Sequence, residues 1–175
     1  PALYAFDATK LAGPIQIRSP RDGEELETLD HVERTLDPAD VVIADDSGAV
    51  ALAGVMGGLT TEIDEASTSA VLEAAHFQSA LVAATSRRHK LSSEASRRFE
   101  RGIDSDVALA ASNRAAQLFA DLAGATVGGL VDIDRRSAAS PITMPLQMPS
   151  RIVGVDVSDD TVRSVLADIG CTLDG

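Results

Sequence analysis

Short apolar runs separated by turn residues characterise the first half of the chain. The runs lie at residues 15–18, 41–44, 49–53 and 70–75, and turn sequences such as Gly13-Pro14 and Asp46-Ser47-Gly48 precede two of them. Brief apolar runs bounded by Gly, Pro, Asn or Asp are typical of β-strands. The pattern therefore predicts a β-rich first half with largely buried strands.

From residue 78 onward, apolar residues recur every three or four positions, which predicts helices over 78–90, 93–101 and 105–123. The third helix has Asp104 or Ser105 available as N-cap and Gly124 just beyond its last turn. We expect it to bury one apolar stripe, and we expect a strand at 129–133. The members of the stripe are Val107, Ala111, Ala115, Leu118 and Leu122.

Residues 135–149 are rich in Ser, Ala and Pro, and they predict a domain boundary. Beyond them, Ser158 is a candidate N-cap, and Asp159 and Asp160 favour the positive end of a helix dipole. The predicted fold class is α+β, with a β-rich half packed against helices and a pocket between them. We assign residues 1–148 to this domain and 149–175 to the truncated start of a following helical domain.

The amino-acid composition limits the classes of protein to which the chain can belong. The apolar runs are all far shorter than the ~20 residues that cross a membrane, so no membrane partner is expected. A single cysteine suits the reducing cytoplasm, and a net charge of −12 argues against a general nucleic-acid or DNA-binding surface. Because the chain starts at Pro1 without a signal sequence, we expect a piece of a longer cytoplasmic protein.

One basic segment stands out in this acidic chain. Six of the fifteen Lys and Arg residues fall between positions 87 and 101. Such a cluster forms either solvated helix faces or a phosphate-contacting surface. We call it the basic cluster, and its members are Arg87, Arg88, Lys90, Arg97, Arg98 and Arg101.

Two other features are candidates for chemistry. Glu73 interrupts an otherwise apolar strand, so its carboxylate either turns to solvent or accepts a hydrogen bond at a pocket wall. The glycine-rich segment 54–58 fits either a turn that needs positive φ or a close backbone approach. The three histidines lie in separate segments without metal-ligand spacing, so we expect no metal site.

Four segments taken together resemble the editing module of bacterial phenylalanyl-tRNA synthetase beta subunits. They are residues 53–58 (AGVMGG), 71–77 (VLEAAHF), 87–91 (RRHKL) and 95–104 (ASRRFERGID). The last is a strong signature, whereas the glycine segment alone is weak. The resemblance extends upstream through residues 3–7 (LYAFD) and 42–45 (VIAD), and downstream into 150–175.

The resemblance implies an enzyme module that hydrolyses the ester of tyrosine on tRNA-Phe. It assigns recognition of the tyrosine hydroxyl to Glu73, and it places Gly57 and Ala95 in the substrate pocket. It assigns Tyr4 and Ser93 to catalytic positions near the reacting ester, although the family commonly has histidine where this chain has Tyr4. Residues expected to contact tRNA are Arg87, Arg88, Lys90 and Arg97.

The resemblance also implies partners: tRNA-Phe and a synthetase alpha subunit, in an α2β2 holoenzyme. ATP and Mg²⁺ are expected at the synthetic site of the full enzyme, and no cofactor is expected in this fragment. Two alternatives remain open. In the first, the fragment is a noncatalytic structural or tRNA-interaction module in which the Tyr4 change has silenced editing. In the second, it is a stand-alone deacylase.

Overall fold

The computed structural model describes residues 3–136 and 140–174. The predicted strands form in the first half, where short apolar segments alternate with turns. Four predicted runs correspond to strands β2, β5, β6 and β8, whereas strands β1, β3, β4 and β7 were not predicted. The strands are β1 Leu3–Asp7, β2 Gln16–Arg18, β3 Glu25–Glu27, β4 Glu33–Thr35, β5 Val42–Ala44, β6 Ala49–Leu52, β7 Met56–Gly57 and β8 Ala70–Ala74.

These strands pair antiparallel in three small sheets. One sheet has the order β2-β5-β6-β7, and two-stranded sheets join β3 to β4 and β1 to β8. In the last pair, Tyr4 stands directly opposite Glu73. Because directly opposed residues project to the same face of a sheet, the β1–β8 pairing brings these two side chains together.

The helices are α1 Ser79–Arg88, α2 Glu94–Glu100, α3 Val107–Ala123, α4 Met148–Val153 and α5 Asp159–Asp168. With antiparallel sheets followed by helices, the predicted α+β class is confirmed. Helix α3 ends at Gly124 in the left-handed conformation, as predicted. Its N-cap, however, is Asp106 rather than Asp104 or Ser105.

Two expectations for residues 105–133 are wrong. Helix α3 packs against β8 with an alanine-rich, half-buried face, while Leu118 is 38% and Leu122 is 82% exposed. Residues 129–133 are not a strand, because none of the described strands pairs with them. Apolar spacing alone thus overestimated how much of this region is covered by other residues.

The core lies around β5 and β6. Val42, Ile43, Val50 and Leu52 are almost completely buried, which agrees with the continuous apolar pattern of both strands. Phe99 of α2 and Val82 of α1 pack into the same core. The helices that follow the sheets are therefore fixed against β5 and β6, and α2 is held where its N-terminus can take part in a site.

The contacts divide the chain into two units, Pro1–Asp132 and Ile133–Gly175. The second unit contains α4 and α5, and the Ser158 side chain caps α5 by accepting a hydrogen bond from the Thr161 N–H, as predicted. Residues 137–139 of the predicted boundary segment lie outside the described residues, and the division at 148/149 stays a prediction. None of the described helices is long and apolar enough to cross a membrane.

Candidate functional site

A pocket of about 190 Å³ lies in the first unit, between the β1–β8 pair, the β6–β7 turn and the start of α2. Its wall is mainly apolar, with contributions from Ile43, Leu52 and Phe99. The volume is below the ~300 Å³ at which pockets for drug-sized ligands begin, and it suits a single side chain. All five residues predicted for catalysis or substrate binding line it: Tyr4, Gly57, Glu73, Ser93 and Ala95.

The carboxyl group of Glu73 is a polar group in the pocket wall with an unsatisfied hydrogen-bond acceptor. Glu73 lies on β8, largely buried, and its Oε1 has no hydrogen-bond partner among the described residues. Burial raises the pKa of Glu73 to about 7, because the charged form loses hydration without gaining a compensating cation. A buried acceptor without a partner costs stability, so the arrangement is explained most simply by a ligand that supplies a hydroxyl.

Both explanations considered for the glycine-rich segment apply, each at a different glycine. Gly54 has a positive φ of 70°, which favours glycine. Gly57 instead allows a close approach: a Cβ there would overlap the hydroxyl and ring of Tyr4. At Gly58 a Cβ would lie 2.6 Å from the Val50 carbonyl oxygen. The empty space at Gly57 is therefore filled by the protein's own Tyr4.

Tyr4 is half-buried, and its ring meets that of Phe6 edge-on with centroids 4.6 Å apart. Burial raises the pKa of the Tyr4 hydroxyl, and the carboxylates of Glu62 and Glu73 raise it further. The hydroxyl is therefore protonated at neutral pH. It can donate a hydrogen bond but cannot act as a general base.

Ser93 holds the start of α2. Its Oγ donates a hydrogen bond to the Val55 carbonyl at 2.5 Å and accepts one from the Ser96 N–H at 3.0 Å. The Ser96 hydroxyl in turn accepts from the Ser93 N–H, completing a capping box. This links α2 to the glycine-rich segment and sets Ala95, in the first turn of the helix, at the pocket wall.

The basic cluster lies outside the lining of this pocket, and its members differ in their contacts. Arg97 pairs with Glu94 at 3.0 Å, and Arg88 pairs with Asp40 and, at 3.5 Å, with Asp37. Within residues 3–136 and 140–174, the other four members form no ion pair. These are Arg87, Lys90, Arg98 and Arg101, and all are exposed.

Asp40 is a functional candidate that sequence reasoning missed. Its fully buried carboxylate accepts from Thr85 Oγ1 at 3.0 Å and from Arg88, and lies 2.7 Å from His89 Nε2. Burial acts to raise its pKa, but hydrogen bonds from His89, the Asp37 N–H and Thr85 outweigh burial and lower the pKa. Asp40 thus anchors the end of α1, where Arg87 lies, and the turn after it, which contains Lys90.

This anchor left little trace in the sequence pattern, because Asp40 has the position of an ordinary turn residue before β5. The described residues also contain no group of three His, Cys, Asp or Glu side chains that could hold a metal ion. The features of the first unit that suggest a function are the pocket that contains Glu73 and the exposed part of the basic cluster.

These features describe an α+β module with a small apolar pocket whose wall presents one unpaired carboxylate. Residues 2–124 match the B3/4 domain model, and the chain belongs to the B3/4 domain family. It is also similar to curated phenylalanine–tRNA ligase beta subunits, as the sequence motifs indicated.

Three relatives show the extent of this similarity. The beta subunit of Thermobifida fusca is 52% identical over 170 residues, which are 97% of this chain and 20% of the relative. That of Corynebacterium glutamicum is 51% identical over 172 residues (98% and 21%), and that of Nocardia farcinica 50% over 171 (97% and 20%). The chain spans about a fifth of the length of these relatives.

Proposed function

We propose that this chain is the editing module of a phenylalanine–tRNA ligase beta subunit and that it hydrolyses the ester joining tyrosine to tRNA-Phe. The observation that carries the proposal is the buried, unpartnered Oε1 of Glu73 in an apolar pocket of side-chain size. The similarity to ligase beta subunits over almost the whole chain supplies the context.

The physical need for such a module follows from the chemistry of selection. A hydrophobic pocket built for phenylalanine rejects an analogue with one added hydroxyl by only about a hundredfold. A second pocket that hydrogen-bonds the hydroxyl selects tyrosine positively, because phenylalanine would leave the buried acceptor unpaired. Glu73 is suited to this role, because its unpartnered Oε1 can accept a hydrogen bond. With a pKa of about 7, a substantial share of Glu73 is ionised at neutral pH, and the ionised form only accepts hydrogen bonds.

In the proposed reaction, the tyrosyl side chain enters the pocket and its phenol donates a hydrogen bond to Glu73. Water attacks the ester carbonyl carbon, and the bond to the terminal ribose oxygen breaks to give free tyrosine and tRNA-Phe. Tyr4 and Ser93 do not take the proton of this water: the pKa of Tyr4 is raised, and Ser93 already donates to Val55. We assign Ser93 to positioning α2. The proton lost by the attacking water passes, through solvent or a neighbouring substrate hydroxyl, to the ribose oxygen that leaves.

The tRNA would be guided by the basic cluster. We assign phosphate contacts primarily to Arg87 and Lys90, which are exposed and lie in the last turn of α1 and just after it. Arg88 and Arg97 would contribute from within their ion pairs, which fix the helix ends. In the full cytoplasmic ligase, an alpha subunit would provide the synthetic site that uses ATP and Mg²⁺.

Deacylation of Tyr-tRNA-Phe and Phe-tRNA-Phe by the full-length protein tests the proposal. A charge-assisted hydrogen bond is worth about 1.5–3 kcal/mol, so Glu73→Ala should lower the preference for the tyrosyl ester about tenfold or more. Glu25→Ala, which changes an exposed strand glutamate outside the pocket, is the matched control. An unchanged preference in Glu73→Ala would remove Glu73 from recognition, and a wild type inactive on both esters would favour the noncatalytic module.

A further inference from the structure

Tyr4 and Glu73 line the same pocket. The Tyr4 ring occupies the space that a side chain at residue 57 would fill. It also stands directly opposite Glu73 in the β1–β8 pair. Because opposed residues project to one face with Cβ atoms about 5 Å apart, a side chain whose hydroxyl binds Glu73 would lie next to Tyr4.

The contacts of Tyr4 are those of a wall rather than of a polar group. Its ring packs against Phe6 and over Gly57, whereas its hydroxyl makes no hydrogen bond with any residue in the described ranges. A hydrogen bond to Glu73 alone would also accept small hydroxyl side chains or larger phenols. Discrimination by size therefore requires a wall beside the carboxylate.

We infer that Tyr4, seated over Gly57, is the residue that limits the size of side chain admitted to the Glu73 pocket. This inference rests on the proposed function and adds a specificity-determining residue to it. It assigns Tyr4 a steric role, in which the ring matters and the hydroxyl does not. It also explains why residue 57 is glycine, since any side chain there would displace Tyr4.

The test compares two esters on the full-length protein: tRNA-Phe charged with tyrosine and with the bulkier 3-iodotyrosine. Tyr4→Ala should raise kcat/KM for the iodotyrosyl ester relative to the tyrosyl ester by about tenfold or more, mainly through KM. Tyr4→Phe keeps the ring and should restore the wild-type ratio. An unchanged ratio in Tyr4→Ala, or a Tyr4→Phe variant that behaves like Tyr4→Ala, would overturn the inference.

A double-mutant cycle on thermal stability tests the packing of Tyr4 against Gly57 without relying on hydrolysis. Gly57→Ala should lower the midpoint of thermal unfolding by about 4 °C or more when Tyr4 is present, and by much less in the Tyr4→Ala background. An equal decrease in both backgrounds would mean that Tyr4 and Gly57 do not compete for space, which overturns the inference. If the wild type hydrolyses neither ester, the proposed function fails and the size limit fails with it.

Discussion

Replacing Glu73 by glutamine should change how the stability of the chain depends on pH. In the folded protein the pKa of this carboxyl is raised from 4.5 to about 7 by burial. Between these values the folded state binds more protons than the unfolded state, so the free energy of unfolding falls as pH rises. The stability linked to protonated Glu73 is fully present below pH 4.5 and is lost as pH rises through about 7.

The expected size follows from the shift. One pKa unit corresponds to about 1.4 kcal/mol, so a shift from 4.5 to about 7 corresponds to about 3 kcal/mol. Glutamine does not titrate. The free energy of unfolding of Glu73→Gln minus that of the wild type should therefore increase by about 3 kcal/mol between about pH 4.5 and about pH 8.

Urea denaturation of the 175-residue chain across this pH range measures the difference, with Glu25→Gln as control. The comparison is between slopes, so a constant cost of burying the amide does not affect it. Parallel curves for wild type and Glu73→Gln would refute the reasoning, because they would mean that Glu73 is hydrated or already paired. A pH-dependent difference in Glu25→Gln would show that the signal is not specific to the pocket.

Four further outcomes are expected. Gly58→Ala should destabilise the fold more than Gly57→Ala in thermal melts, because it meets the Val50 backbone rather than a movable side chain. Asp40→Ala should lower the free energy of unfolding by about 3 kcal/mol in urea denaturation, because Arg88 and His89 lose their buried carboxylate partner. Asp37→Ala should lower it by about 1 kcal/mol or less, because the ion pair that Asp37 forms is partly exposed. Ser93→Ala should reduce stability by about 1–2 kcal/mol in the same assay, since the α2 cap and the link to Val55 disappear. Charge reversal of Arg87 and Lys90 should raise KM for Tyr-tRNA-Phe without lowering the melting temperature. The slope of log KM against log salt concentration should fall by about 0.7 for each phosphate that the variant no longer neutralises. An unchanged slope would mean that both residues contact only solvent.

The three helices of the first unit and strands β2, β5, β6 and β8 could be predicted, because their apolar patterns reflect local periodicity, whereas β1, β3, β4 and β7 were not predicted. The errors arose where tertiary contacts decide. Leu122 fits a buried helical stripe but is mostly exposed, and residues 129–133 resemble a strand but pair with none of the described strands. Buried carboxylates were equally hidden: Asp7, Asp40 and Asp45 have the sequence context of turn residues, yet each is at most 2% exposed and hydrogen-bonded.

The site was predictable residue by residue but not as an arrangement. Glu73 was visible as a carboxylate in an apolar run, and its unsatisfied Oε1 now gives that anomaly a physical meaning. Its relation to Tyr4 depends on the pairing of β1 with β8, which joins segments about seventy residues apart, and a shift of one residue would turn Tyr4 away from Glu73. Motif spacing cannot specify that register. The structure also adds an explanation for Gly57, because a side chain there would overlap the ring of Tyr4.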